Sequence, residues 1–145
     1  MKKVISTIIV LTIITTLCVA FVACDPTDGK LKPEISFPAS WPENEFTEVV
    51  PKLEYGDIKY ATNYIGANQY FLVIEEITKE ESMSYLDALK EFGYVVKESS
   101  EDEYAIMHKL KNKQLKSEVS FRFRKGTNED GTLANTLEFT IYTNR

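Results

Sequence analysis

Cysteine and histidine are nearly absent from this sequence. Of its 145 residues, two are cysteines, Cys18 and Cys24, and one is a histidine, His108. Both cysteines precede the region in which we expect a folded domain, which excludes a disulfide scaffold, a cysteine-ligated zinc and a cysteine nucleophile there. One histidine is too few for a histidine-based metal site. We therefore predict neither a metal nor any other cofactor.

An excess of positive charge is missing as well. The chain has 17 Lys and Arg residues against 22 Asp and Glu residues, a formal net charge of −5. Nucleic-acid-binding proteins usually present a strongly basic surface, so we expect no nucleic-acid partner. The sequence also has no glycine-rich phosphate-binding loop and no G-x-S-x-G nucleophile motif. Because no convergent catalytic motif is present, we predict that the protein is not an enzyme.

The one long apolar run lies at the N-terminus. Two lysines precede an uncharged apolar stretch over residues 4–23, the arrangement of a signal peptide. The segment Phe21-Val22-Ala23-Cys24 then resembles the lipobox of bacterial lipoproteins, although Phe21 stands where Leu is usual. The resemblance implies cleavage after Ala23, diacylation of the Cys24 thiol, and a protein held on the extracytoplasmic side of the cell membrane.

Two other interpretations of the N-terminus stay open, an ordinary secretory signal and an uncleaved helical anchor, because the apolar run is nearly long enough to span a bilayer. We assign residues 1–23 to a lipoprotein signal peptide. Residues 24–36 follow as the lipidated cysteine and a flexible tether that is polar and contains Pro and Gly. Residues 37–145 form one domain, which is large enough to bury a core without disulfides.

Hydrophobic periodicity predicts an α+β fold for this domain. The clearest strand pattern covers residues 115–124, where apolar and polar residues alternate and Phe121 and Phe123 face inward. The best-marked helix begins at Thr78 with a T-x-x-E capping box and ends at Gly93. Together these patterns predict a twisted antiparallel sheet of about five to six strands, with this main helix on one face and a short N-terminal helix over residues 42–49.

A second resemblance covers most of the domain. Trp41-Pro42, Val50-Pro51, a β-hairpin and an acidic-capped helix ending in Phe92-Gly93-Tyr94 follow one another in that order. The order resembles an uncharacterised small domain of exported proteins from Gram-positive bacteria, over about residues 37–142. The resemblance implies the fold and the exported location, and it carries no activity.

Several residues that could support catalysis have a simpler structural explanation. His108 alternates with apolar residues and has no nucleophile motif beside it, which favours a structural role. The acidic groups at residues 75–76, 80–81 and 101–103 fall at predicted helix starts and turns, where solvated charge is a better explanation than a glycosidase pair. Residues 128–131 contain part of a calcium-loop pattern without its closing Glu, so a hairpin loop is favoured.

Residues 109–125 form a basic segment in an otherwise acidic chain. The candidate binding residues in it are Lys109, Lys111, Lys113, Lys116, Arg122 and Arg124. They form either a patch that faces anionic lipid, wall polymer or an acidic partner, or a set of cross-strand charge pairs. Tyr60, Tyr64 and Tyr70 flank one predicted hairpin, and they are ligand-stacking residues or core residues according to the sheet face they occupy.

These observations favour a non-catalytic lipoprotein module, attached to the membrane through a lipid on Cys24, that binds a protein or an anionic polymer of the cell envelope. An inhibitor or accessory subunit of an envelope enzyme is the alternative. A hydrolase that uses dispersed carboxylates is less favoured. The sequence leaves the oligomeric state open.

Overall fold

The structure of the protein is a computed structural model, and it describes residues 32–132 and 134–144. The predicted signal peptide, with its cleavage site at Ala23, lies outside the described residues. The predicted lipidation site, Cys24, and most of the predicted tether lie outside them as well.

Seven strands and one α-helix form the described domain. The strands are β1 (Lys32–Ser36), β2 (Asp57–Ile65), β3 (Gln69–Glu75), β4 (Val95–Glu101), β5 (Ala105–Asn112), β6 (Ser117–Arg124) and β7 (Thr136–Thr143). The helix, α1, is Lys79–Glu91, and a single 3-10 turn covers Thr47–Val49. All neighbouring strands are antiparallel, in the order β1-β2-β3-β7-β6-β5-β4.

The prediction of an α+β fold is wrong, because the domain is mainly β. One seven-stranded antiparallel sheet makes up most of it, where five to six strands were predicted, and α1 is the one α-helix in the described part of the chain. The predicted N-terminal helix is also wrong. The two errors have separate local causes, one in the predicted tether and one in the segment around Asn44.

The additional strand comes from residues assigned to the tether. Lys32–Ser36 pairs with β2 along its whole length, with Lys32 opposite Ile65 and Ser36 opposite Ala61. All five residues of β1 are exposed, so the strand has no buried side that hydrophobic periodicity would reveal. Pro33 is compatible with this position because an edge strand has one unpaired side.

In the segment predicted as a short helix, hydrogen bonds between side chains and the backbone form turns in place of a helix. The Oδ1 atom of Asn44 accepts hydrogen bonds from the backbone N–H groups of Phe46 (2.9 Å) and Thr47 (3.1 Å). The Thr47 hydroxyl donates to the carbonyl of Pro42 (2.7 Å). Such local bonds compete with a helical backbone, and only the Thr47–Val49 turn remains helical.

The main helix begins as its capping box predicts. The Glu81 N–H donates to the Thr78 hydroxyl (3.1 Å), and the Thr78 N–H donates to the Glu81 carboxylate (2.8 Å). At the other end, Gly93 takes a positive φ of 99°, which glycine adopts without strain. The helix therefore has both boundaries fixed by local sequence.

The hydrophobic core lies between the sheet and the layer formed by α1 and residues 41–53. Leu86 and Leu89 of the helix are buried with Leu72, Phe121 and Phe139 of the sheet. Trp41 packs edge-on against Tyr85 at a ring-centroid distance of 6.4 Å, so it acts as a packing residue of the domain. Only one face of the sheet is covered in this way by the described residues.

Candidate functional site: the open face of the sheet

The second face of the sheet carries no helix among the described residues, and we call it the open face. The strand register places its side chains in rows across the sheet. One row runs from β2 to β5 through Thr62, Phe71, Thr140, Ser120 and Lys109. The rows on either side of it contain Tyr64, Gln69, Tyr142, Glu118 and Lys111, and Tyr60, Val73, Glu138, Arg122 and Met107.

A β-bulge decides which tyrosines reach this face. The register of β2 against β3 shifts between Ile58 and Tyr60. Ile58 therefore packs against the core, whereas Tyr60 and Tyr64 lie on the open face. Tyr70 is buried on the covered face and stacks on Phe46 at 5.6 Å. The three hairpin tyrosines thus divide between the two faces, which the strand alternation alone did not predict.

Aromatic side chains cover the half of the open face formed by β2, β3 and β7. Tyr60 and Phe71 are in contact, with ring centroids 6.0 Å apart, and both are half-buried. Tyr142 is 38% exposed. Between these rings Val73 and Thr62 are buried, although no helix of the described residues lies over them. The aromatic half is therefore an apolar surface whose rings are partly exposed to solvent.

Next to the aromatic half lies a trough, which we define as the two adjoining depressions that share Lys109 and Ser120. The first, of about 250 Å³, is lined by Tyr142, Glu118 and Val119 in addition to the shared residues. The second, of about 260 Å³, extends over Met107 towards β4. Ser120 is small and sits between larger neighbours, and this difference in size makes the trough.

The charged half of the open face is formed by β4, β5 and β6, and its charges are paired across strands. Lys109 Nζ lies 2.7 Å from a Glu98 carboxylate oxygen, and this carboxylate raises the pKa of Lys109. Lys111 pairs with Glu118. Exposed pairs of this kind contribute about 0–1 kcal/mol to stability. Their larger effect here is to make the charged half close to neutral.

Arg122 and Arg124 share one acidic partner from β7. Arg124 Nε lies 2.6 Å from Glu138 Oε1, and Arg122 Nη1 lies 3.8 Å from Glu138 Oε2. The Arg122 Nε atom is buried without a hydrogen-bond partner in the described part of the chain. Four of the six predicted patch residues therefore lie together on the open face, and each has a carboxylate next to it.

The other two predicted patch residues occupy a different surface. Lys113 and Lys116 belong to the hairpin between β5 and β6, beyond the end of the sheet, and both are exposed. No ion pair joins either of them to another described residue. The predicted basic patch is thus divided into a paired group on the open face and an unpaired group at the sheet end.

His108 lies on the covered face near the β4 edge. Its ring packs against Phe121 at 5.9 Å, and its Nδ1 atom is buried without a hydrogen-bond partner among the described residues. Burial, followed by the nearby charge of Lys90, lowers the pKa of His108. Ser99 is opposite His108 in the register, but no hydrogen bond joins them. This arrangement does not activate a nucleophile.

The acidic candidates stabilise turns and helix ends. Backbone N–H groups of the following turn donate to Asp102, and this lowers the pKa of its carboxyl group. The N–H and hydroxyl of Thr132 do the same for Asp130 in the loop that contains part of the calcium pattern. Glu81 closes the capping box. Within the described ranges no group of three or more His, Cys, Asp and Glu side chains is placed to hold a metal ion.

No family model matches this chain, and neither a curated protein nor a solved structure matches it. Among the described residues, no helix has the length and apolar character required to cross a membrane. The resemblances to a lipobox and to an exported domain stay predictions from the sequence.

Proposed function

We propose that the mature chain is a lipid-anchored, non-catalytic binding module on the extracytoplasmic side of the membrane, and that its open face holds a neutral glycan of the cell envelope. The signal sequence and the lipobox resemblance around Cys24 support the anchor. The observation that carries the binding function is the combination of half-exposed aromatic rings with a polar trough on one uncovered sheet face.

The chemistry of this face fits a sugar chain. A pyranose ring has an apolar side of C–H groups, which packs on aromatic rings such as Tyr142 and Phe71, and a rim of hydroxyl groups. In the trough, Lys109, Glu118 and Ser120 provide donors and acceptors for that rim. Binding sites commonly combine an apolar wall with a few placed polar groups in this way.

Charge pairing favours a neutral polymer over the anionic polymer that the sequence suggested. Lys109, Lys111 and Arg124 each lie within ion-pair distance of a carboxylate, so an anion would have to compete with an existing partner. A glycan requires stacking and hydrogen bonding, and both are available without breaking these pairs.

A sedimentation assay with purified cell wall tests the proposal. The full chain, extracted in detergent, is mixed with wall glycan from which the anionic polymers have been removed. We expect co-sedimentation, with the apparent affinity falling about tenfold in Tyr142→Ala, because the variant loses an apolar ring contact worth roughly 1–2 kcal/mol.

Tyr104→Ala is the matched control, because Tyr104 is 69% exposed but lies in the turn before β5, off the open face. This variant should bind as the parent does. Equal loss in both variants, or no binding by the parent, would contradict the glycan function. Binding that depends on restoring the anionic polymers would point instead to the charged half of the face.

A further inference from the structure

Exposed apolar and basic side chains lie at one end of the sheet. The first strand, β1, begins at the same end. We call it the Lys32 end, after the first residue of β1. It also includes the β2–β3 hairpin, the β5–β6 hairpin, the end of β7, and the turn that joins α1 to β4.

Hydrogen bonds join these segments into one continuous surface. The Thr143 N–H donates to the Asn68 carbonyl of the β2–β3 hairpin (3.1 Å). The Asn144 N–H donates to the Lys116 carbonyl of the β5–β6 hairpin (2.9 Å). The Asn112 side-chain amide donates to the Phe92 carbonyl at the end of the helix (3.3 Å). The Lys32 end is therefore a fixed surface made of several segments.

Four large apolar side chains are exposed on this surface. Ile65, Leu115, Phe92 and Val95 are between 41% and 57% exposed. Leu115 is at the tip of the β5–β6 hairpin, where the Asn112 side chain accepts hydrogen bonds from the N–H groups of Gln114 and Leu115. A single exposed apolar residue is ordinary, but four of them at one end of a sheet, beside unpaired lysines, are a feature of interaction surfaces.

These apolar groups lie beside lysines that have no ion-pair partner among the described residues. Lys113 and Lys116 flank Leu115, and Lys32 begins the adjoining edge strand. Four acidic residues lie close to this end. Glu34 is in β1, and Glu118 is already paired with Lys111. Glu48 and Glu91 belong to the 3-10 turn and to the last turn of α1, which are layered on the covered face. Exposed apolar residues between cations are typical of protein surfaces that rest at a membrane interface.

The opposite end of the sheet has the reverse character. Acidic residues crowd its turns and the start of α1: Asp57, Glu76, Glu80, Asp102, Glu103, Glu129 and Asp130, all exposed. An anionic surface would repel this end and attract the lysines of the Lys32 end. The charge distribution therefore favours one orientation of the domain against an anionic bilayer.

The length of the chain before β1 brings the Lys32 end close to the membrane. Cys24 lies eight residues before Lys32, so a lipid on Cys24 limits their separation to roughly 26–29 Å in a fully extended chain. A coil of eight residues averages roughly 15 Å. Because this connection enters the sheet at Lys32, its length limits how far the Lys32 end can lie from a lipid on Cys24.

We propose that the Lys32 end docks on the surface of an anionic phospholipid bilayer, with Leu115 and Ile65 entering the headgroup region and Lys32, Lys113 and Lys116 contacting lipid phosphates. The proposal rests on the lipid anchor of the proposed function. It orients the strands upright on the membrane, with the acidic end outward, and the open face then stands clear of the bilayer.

Fluorescence quenching on vesicles tests this orientation. The full chain, purified from membranes with its acyl groups verified by mass, is labelled at Leu115→Cys with an environment-sensitive dye, because the mature chain has no free thiol of its own once Cys24 is acylated. It is reconstituted into phosphatidylcholine vesicles containing phosphatidylglycerol and a headgroup-quencher lipid. Asp130→Cys, at the acidic end, is the matched control.

We expect strong quenching and a blue shift at position 115 and neither at position 130. Equal quenching at both positions, or none at 115, would overturn the docking while leaving the lipid anchor intact. A mass without acyl groups would instead refute the anchor of the proposed function, and the two failures are therefore distinguished before any vesicle is made.

A charge test uses two double variants of equal charge change. Lys113→Gln with Lys116→Gln removes the unpaired lysines. Lys59→Gln with Lys79→Gln removes two lysines that are paired with Glu75 and Glu101, away from the Lys32 end and outside the trough. The first pair should reduce the docked-to-undocked ratio roughly fivefold per lysine on anionic vesicles, whereas the second should leave it unchanged. The same reduction in both would mean that net charge, and not the Lys32 end, governs contact.

Discussion

Alternate residues of β6 have opposite environments, and this difference is the most direct test of the sheet register. Phe121 and Phe123 are fully buried against the helix layer. Arg122, between them, lies on the open face with Glu138 as a distant partner. The burial of neighbouring residues therefore depends entirely on which face each side chain occupies.

Phe121→Ala should lower the free energy of unfolding by about 3–5 kcal/mol, because a large side chain is removed from the centre of the core. Arg122→Ala should lower it by less than about 1 kcal/mol, since a half-exposed ion pair at 3.8 Å contributes little. Urea denaturation followed by circular dichroism measures both. Similar losses for the two variants would contradict the register of β6.

His108 should make the protein less stable on mild acidification. Burial lowers its pKa from the ordinary value of 6.5, so the unfolded chain binds a proton more readily than the folded chain. The contribution of neutral His108 to the free energy of unfolding is therefore fully present above about pH 6.5 and is lost as the pH falls through the lowered pKa of His108. Urea midpoints between pH 7.5 and 5 should fall for the parent and stay flatter for His108→Gln. Parallel curves would show that His108 does not titrate with unfolding.

At the scale of single elements, local sequence was sufficient where local bonds fix the structure. The capping box predicted the start of α1, and Gly93 predicted its end. The alternation of apolar and polar residues predicted β6, although it starts at Ser117 and Leu115 is exposed in the preceding turn. Each of these elements carries its own periodic or capping signal.

Thr78→Ala should lower the free energy of unfolding by about 1 kcal/mol, because the first turn of α1 loses the side chain that accepts the Glu81 N–H. Ser84→Ala, an exposed substitution in the middle of the same helix, is the control and should not destabilise it. Thermal unfolding of the two variants measures the difference. A lower melting temperature for Ser84→Ala than for Thr78→Ala would contradict the capping role.

The sequence did not predict the elements whose structure depends on strand pairing or on a single side-chain hydrogen bond. β1 is exposed along its whole length, and its pairing with β2 over some thirty residues of sequence gives no local signal. The bulge in β2 moves Tyr60 and Tyr64 to the open face, because a shift of one residue exchanges the two faces of a strand. Asn44 closes a turn where Pro42 suggested a helix start.

At the scale of the whole molecule, the proposed lipid anchor and the two proposed binding surfaces are compatible with one another. In this proposal the open face binds a glycan through its rings and trough, and the Lys32 end contacts the bilayer through its lysines and exposed apolar side chains. The surfaces are roughly at right angles, since one is a face of the sheet and the other is an end of its strands. Docking and glycan binding therefore do not compete for the same side chains.

Cys24→Ala should abolish lipidation and leave either an uncleaved precursor or a protein released from the membrane. The expected reason is that the lipid on this thiol is the proposed attachment, and two acyl chains are needed for stable anchoring. Fractionation with mass measurement distinguishes parent from variant, and Cys18→Ala, within the signal sequence, is the control that should behave as the parent does. An unchanged, membrane-bound mature mass in Cys24→Ala would contradict the anchor.

The start and end of the helix and the inward side of β6 follow from the amino-acid sequence, because capping bonds and alternation are local properties. Which face of the sheet stays open, and which cations of the described residues have a carboxylate partner, depends on the assembled sheet. Lys109 meets Glu98 and Arg124 meets Glu138 through strand pairing, whereas Lys113 and Lys116 extend beyond the last paired rows. Pairing brings residues together according to register, and register is a property of the assembled sheet.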